Sequence, residues 1–74
     1  MLDGKYTYYF HKWDPISKQF LKKILGSFTV ENDQVTTVEG DARDFLKVGP
    51  IDDTVTRAVK HEMSNAYHSV ELSL

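Results

Sequence analysis

The chain contains no cysteine. Disulfides are therefore excluded, together with thiolate metal sites and Cys–His nucleophiles. This absence fits a reducing compartment, so a cytoplasmic location is expected. Long apolar runs are also missing. None exceeds three residues, far short of the ~20 that cross a bilayer as a helix. The N-terminal residues MLDGK lack the apolar core of a signal peptide, and no membrane partner is expected. Glycine-rich phosphate loops and nucleophile elbows do not occur. Neither sign of charge forms a block in the sequence: nine Lys and Arg and eleven Asp and Glu are scattered to a net charge of −2. That balance argues against a broad phosphate-binding footprint, although it leaves room for a local basic patch.

What is present is the composition of an ordinary globular chain, 41% hydrophobic and 27% charged. Its 74 residues are read as one small domain, 1–74. A chain this short buries only about 60% of the surface its unfolded form exposes. Domains of this size usually draw support from a metal or a partner subunit when disulfides are lacking.

The aromatic residues are concentrated at one place. Residues 5–13, KYTYYFHKW, hold five of the nine Phe, Tyr and Trp side chains. Such residues suit a pleated strand. Alternation sets Tyr6, Tyr8 and Phe10 on one face and Thr7, Tyr9, His11 and Trp13 on the other. If the first face is core, the second is left apolar. Downstream, DPISKQFLKKILG carries Asp14 as a helix cap, Pro15 at the first helical position and Gly26 just past the end. Ile16, Phe20, Leu21, Ile24 and Leu25 recur at helical spacing, which predicts a helix over 15–25. The alternative is a hairpin, with DPIS as its turn and residues 19–25 as a second strand. Its alternation is poor, because Phe20–Leu21 and Ile24–Leu25 put apolar pairs on opposite faces.

Asn32 and Asp33 predict a hairpin turn between residues 27–31 and 34–38. A two-residue loop sets Val30 opposite Val35, and a three-residue loop sets Phe28 opposite Val38. Residues 40–50 predict a helical turn that plugs Phe45 and Leu46 into the core and ends at Gly49 and Pro50. Asp52 and Asp53 open a helix predicted through about Asn65, with Val55, Ala58, Val59 and Met63 on its inner stripe. The last strand alternates, with His68, Val70, Leu72 and Leu74 on one face. The expected fold is thus α+β, a four-stranded antiparallel sheet with two helices in ferredoxin-like βαββαβ order. The hairpin alternative gives a three-stranded meander followed by a helix and a strand.

No constellation spells out a reaction. His61 and His68 stand seven apart, outside the spacings zinc sites use, and no acidic window matches a calcium loop. Neither a metal nor a cofactor is expected. Ser64, Ser69 and Ser73 lack a local group to activate a hydroxyl, so no catalytic residue is assigned. The candidate binding residues are Tyr9, His11 and Trp13, flanked by Lys5 and Lys12. Together they suggest a non-enzymatic interaction module that takes a protein partner or a second copy of itself, as a homodimeric accessory protein would. Rings edged by lysines also suit single-stranded nucleic acid, although net acidity and the missing RRM signature speak against it. A small enzyme with its active site at a subunit boundary is the remaining alternative.

Overall fold

The computed structural model describes residues 1–62 and 67–74. Strand β1 (Gly4–Asp14) turns into β2 (Gln19–Glu31), which turns into β3 (Gln34–Gly40). A 3-10 turn at Asp41–Asp44, the short β4 (Gly49–Pro50), helix α1 (Asp53–Glu62) and β5 (His68–Ser73) follow. The sheet has the order β4-β3-β2-β1-β5, with every neighbouring pair antiparallel.

This architecture corrects the expected fold class. The sheet has five strands rather than four, and one short helix rather than two among the described residues. The helix predicted over 15–25 is a turn followed by the first half of β2. The cause is local. Asp14 accepts hydrogen bonds from the Ile16 N–H (3.0 Å) and the Ser17 hydroxyl (2.7 Å). A carboxylate bonding forward in this way serves a turn as well as a helix start. Lys18 then takes a left-handed conformation (φ 56°) and its N–H closes on the Asp14 carbonyl at 2.8 Å. The chain therefore reverses instead of winding.

The second hairpin is built as its turn residues require. Asn32 and Asp33 both have positive φ, 51° and 59°, the conformation a two-residue hairpin loop needs. Val30 pairs with Val35, and Phe28 pairs with Val38 as well. Both registers coexist because one extra residue is accommodated in β3 between these pairs, at a bulge. A second bulge lies between the Tyr8–Gly26 and Tyr9–Ile24 pairs, where Leu25 is the unpaired residue of β2.

The core sits on the face bearing Tyr6 and Tyr8, with Phe28, Val30, Val35, Ala42 and Leu46. Phe45, Ile51, Val55, Ala58, Val59, Val70 and Leu72 pack against it. Tyr6 stacks on Phe28 with centroids 4.9 Å apart, and its hydroxyl donates to the Leu2 carbonyl. Helix α1 is capped by the Asp52 carboxylate, which accepts from the Val55 N–H at 3.1 Å. Met63 and the predicted end of that helix lie outside the described residues. Leu74, expected on the inner face of β5, is exposed just beyond the strand.

Gly26 and Gly40 pair across β2 and β3 where these strands part. A Cβ on Gly26 would lie 2.5 Å from the Glu39 carbonyl, and one on Gly40 2.5 Å from that of Leu25. This close approach lets the 3-10 turn fold down over the sheet with Ala42 buried.

Candidate functional site

The partners of β1 and β2 run out before these strands do. β5 pairs with β1 only as far as Phe10, and β3 pairs with β2 only as far as Gly26. The six pairs from Tyr9–Ile24 to Asp14–Gln19 therefore form an arm about 20 Å long at 3.3 Å per residue, flanked by β5 at its first two pairs and a two-stranded ribbon over its last four. This arm makes the molecule elongated, 43 × 22 × 18 Å.

One face of the arm carries Tyr9, His11 and Trp13 from β1 and Phe20, Lys22 and Ile24 from β2, each opposite a residue of the same set. Trp13 meets Phe20 edge to face with centroids 5.2 Å apart. Their exposures are 50% and 59%, and Ile24 is 64% exposed. Ile16, at the turn, is 93% exposed. An apolar strip thus runs up a ribbon that no core layer covers.

Between the Trp13–Phe20 and Tyr9–Ile24 pairs stand the polar side chains of His11 and Lys22, and these are matched. Lys22 Nζ lies 4.1 Å from the centre of the Tyr9 ring and 2.6 Å from Glu71 Oε1. The Lys22 ammonium, bonded to the carboxylate, holds Glu71 below the ordinary carboxylate pKa, with help from the Tyr9 hydroxyl. His11 Nε2 and Ser69 Oγ share a hydrogen bond of 2.7 Å. Both links run from the arm to β5, so they brace its base.

The structure brings Tyr9, His11 and Trp13 onto one face, as alternation requires. It separates the two lysines placed beside them. Lys5 shares their face, but it pairs with Thr29 and Ser73, four residues down the strand from Tyr9. Lys12 points from the opposite face, opposite Leu21. Phe20, Lys22 and Ile24 are the members that sequence reasoning missed, because it placed them in a helix.

Charge is distributed less evenly than the sequence suggested. Residues 9–24 hold Lys12, Lys18, Lys22 and Lys23 against the single carboxylate of Asp14, a net +3. The remaining residues hold five cations and ten carboxylates, a net −5. The four lysines are dispersed among apolar residues along the chain, and the hairpin gathers them.

Ser69 gains from His11 the imidazole neighbour that its sequence context lacks. Acyl transfer also needs donors aimed at a developing oxyanion. The backbone of β1 beside this pair is already bonded on both sides, to β2 and β5. A separate hollow of about 460 Å³ lies beside the 3-10 turn, lined by Phe45, Leu46, Val48 and Val55 with Asp44 and Lys47 at its rim. Among the described residues its lining holds no His, Ser or Tyr. Among the described residues no group of His, Asp or Glu is arranged to hold a metal, and no helix is long and apolar enough to cross a membrane. No family model, curated protein or solved structure matches this chain.

Proposed function

We propose that this chain is a non-enzymatic interaction module whose working surface is the open face of the hairpin arm, acting in the cytoplasm. The observation that carries this reading is the strip of Trp13, Phe20 and Ile24, half or more exposed, on a ribbon that projects beyond the core. Exposed apolar surface of this kind, here on either side of the His11–Lys22 pair, usually marks an interaction site. Exposed aromatic residues are also the side chains that most often dominate binding energy. The cysteine-free composition supports the cytoplasmic setting.

The test compares the parent with a Trp13→Ala, Phe20→Ala variant. Melting temperatures should agree closely, because neither ring is part of the core. Cross-linking in native lysate should give adducts with the parent that the variant loses. A variant that unfolds would make the strip structural, and adducts that persist unchanged would move the working surface elsewhere.

A second reading, single-stranded nucleic acid, is favoured by one observation: the arm is net positive and presents two exposed rings. Stacking binders set their cations around the rings. Here Lys12 and Lys23 leave the opposite face, and Lys22 is already paired with Glu71. Oligonucleotide titration followed by Trp13 emission separates the readings, since nucleic-acid binding must weaken steeply with salt.

A further inference from the structure

We infer that the partner of the arm's open face is a second copy of this chain, stacked strip on strip about a two-fold axis with the arms antiparallel. The inference rests on the interaction-module reading and adds the identity of the partner.

On the apolar face of the arm the lysine is Lys22, and Glu71 neutralises it at 2.6 Å. Lys12 and Lys23 emerge on the other side of the ribbon, and Lys18 sits in the turn. Two such strips meet without setting like charges against each other, although each arm as a whole is net +3. An acidic protein or a nucleic acid would want the cations and the rings on one face. A neutral apolar strip suits another neutral apolar strip.

A two-fold interface is isologous, so each residue on one copy meets its counterpart's neighbourhood on the other. Antiparallel overlap centred on the strip carries each turn, with its Lys18, towards the sheet body of the other copy. There Glu39 lies on the same face as the strip, paired with Ser27, while Glu71 on that face is already held by Lys22 and Lys5 is the cation of that face. The net-positive arm thereby lies towards the net-negative body in both directions. Parallel overlap would set arm along arm and body along body.

Trp13, Phe20 and Ile24 together leave on the order of 350 Å² open, taking about 150–250 Å² for a large side chain. Two strips with their flanks would bury roughly 700–1,000 Å², below the ~1,200–2,000 Å² of a stable complex. A reversible dimer is expected, with Kd of about 10 µM to 1 mM.

The experiment is sedimentation of the full chain from about 1 µM to 1 mM, with Trp13 emission recorded over the same series. Trp13 is the sole tryptophan, so its emission reports on the strip. The mass should rise from monomer to dimer with a parallel blue shift. Phe20→Ser and Ile24→Ser should each weaken the dimer at least about tenfold while the monomer keeps its circular dichroism spectrum. Lys12→Gln with Lys23→Gln, on the other face, should leave the dimer constant within about twofold. A parent that stays monomeric throughout overturns the inference, and so does a dimer in which Trp13 emission does not move. Neither result needs a variant that folds. If the parent is monomeric but the Trp13→Ala, Phe20→Ala variant loses a cross-linked adduct, the second-copy inference falls while the interaction-module reading stands. If the adducts are unchanged as well, both fall.

Discussion

Tyr6 faces Phe28 across β1 and β2, and seven residues further along β1 Trp13 faces Phe20 across the same two strands. The ring centroids lie 4.9 Å apart in one pair and 5.2 Å in the other. Phe28 is 1% exposed, whereas Phe20 is 59% exposed. Cross-strand pairing is common to both, so pairing does not bury a ring. The difference is the layer above. Tyr6 and Phe28 lie on the face covered by the 3-10 turn and α1, with β3 and β5 alongside. Trp13 and Phe20 lie on the opposite face, beyond the point where β3 and β5 have stopped. A two-stranded ribbon is marginal by itself. This one persists because its strands continue into a sheet that has a core.

The largest test of that contrast removes part of the cover. Deleting residues 70–74 takes Val70 and Leu72 from the core and strips Tyr6 and Tyr8 of their partners in β5. The loss should be on the order of 5 kcal/mol, enough to unfold a chain this small. Unchanged urea denaturation would mean that the body does not depend on β5. Phe28→Ala comes next, at about 3–5 kcal/mol, since a fully buried ring leaves a cavity. Phe20→Ala, on the arm, should cost under about 1 kcal/mol in the monomer. If the two phenylalanines cost the same in matched denaturation curves, arm and body are not the distinct regions described.

Between these values falls Gly26→Ala, at the junction. The added methyl meets the Glu39 carbonyl and the Ala42 backbone nitrogen, neither of which is a flexible chain end. A cost of about 1–3 kcal/mol is expected from the forced backbone shift. A neutral result, read from the melting temperature, would show that the strands part without needing that approach.

The smallest effect is titration at the arm's base and tip. Glu71 is lowered by its bond to Lys22, and Asp14 by its bonds to Ser17 and Ile16. A carboxylate with a depressed folded-state pKa binds protons less readily folded than unfolded. Its contribution is therefore present above the unfolded value and is lost as pH falls through the folded one. Amide protection factors in residues 9–24, taken against the intrinsic rate at each pH, should fall on acidification before those of the body do, and Lys22→Met should abolish the part due to Glu71. Protection falling equally in arm and body would remove the distinction.

How much of this was legible depended on whether a residue's pattern reported a buried face. Tyr6 and Tyr8 alternate against a core, and the reading of β1 from them holds. Val70 and Leu72 behave the same way in β5. Asn32 and Asp33 adopt the left-handed conformations that their residue types favour, so the second turn was readable from two side chains. The chain at 19–25 offered no such signal. Alternation is enforced only where one face is buried and the other wet, and the arm has cover on neither side. Phe20–Leu21 and Ile24–Leu25 could therefore stand as adjacent apolar pairs, with Leu25 absorbed by a bulge, and the pattern imitated a helix. Asp14 reinforced the error, because bonding forward to residues two and three ahead begins a helix and a turn alike.

The site divides along the same line. The sequence alone determined that Tyr9, His11 and Trp13 share a face opposite Tyr6 and Tyr8, because strand alternation is a property of the backbone. It determined the cysteine-free chemistry, the net charge and a helix start at Asp52 or Asp53 as well. Tertiary structure decided that Phe20, Lys22 and Ile24 join that face, because pairing across a turn is set by register and a single bulge changes it. It also decided that Lys12 leaves by the other side, and that four dispersed lysines become one positive arm against a negative body. Strand pairing brings distant residues together, and no local pattern in the chain records which ones will meet.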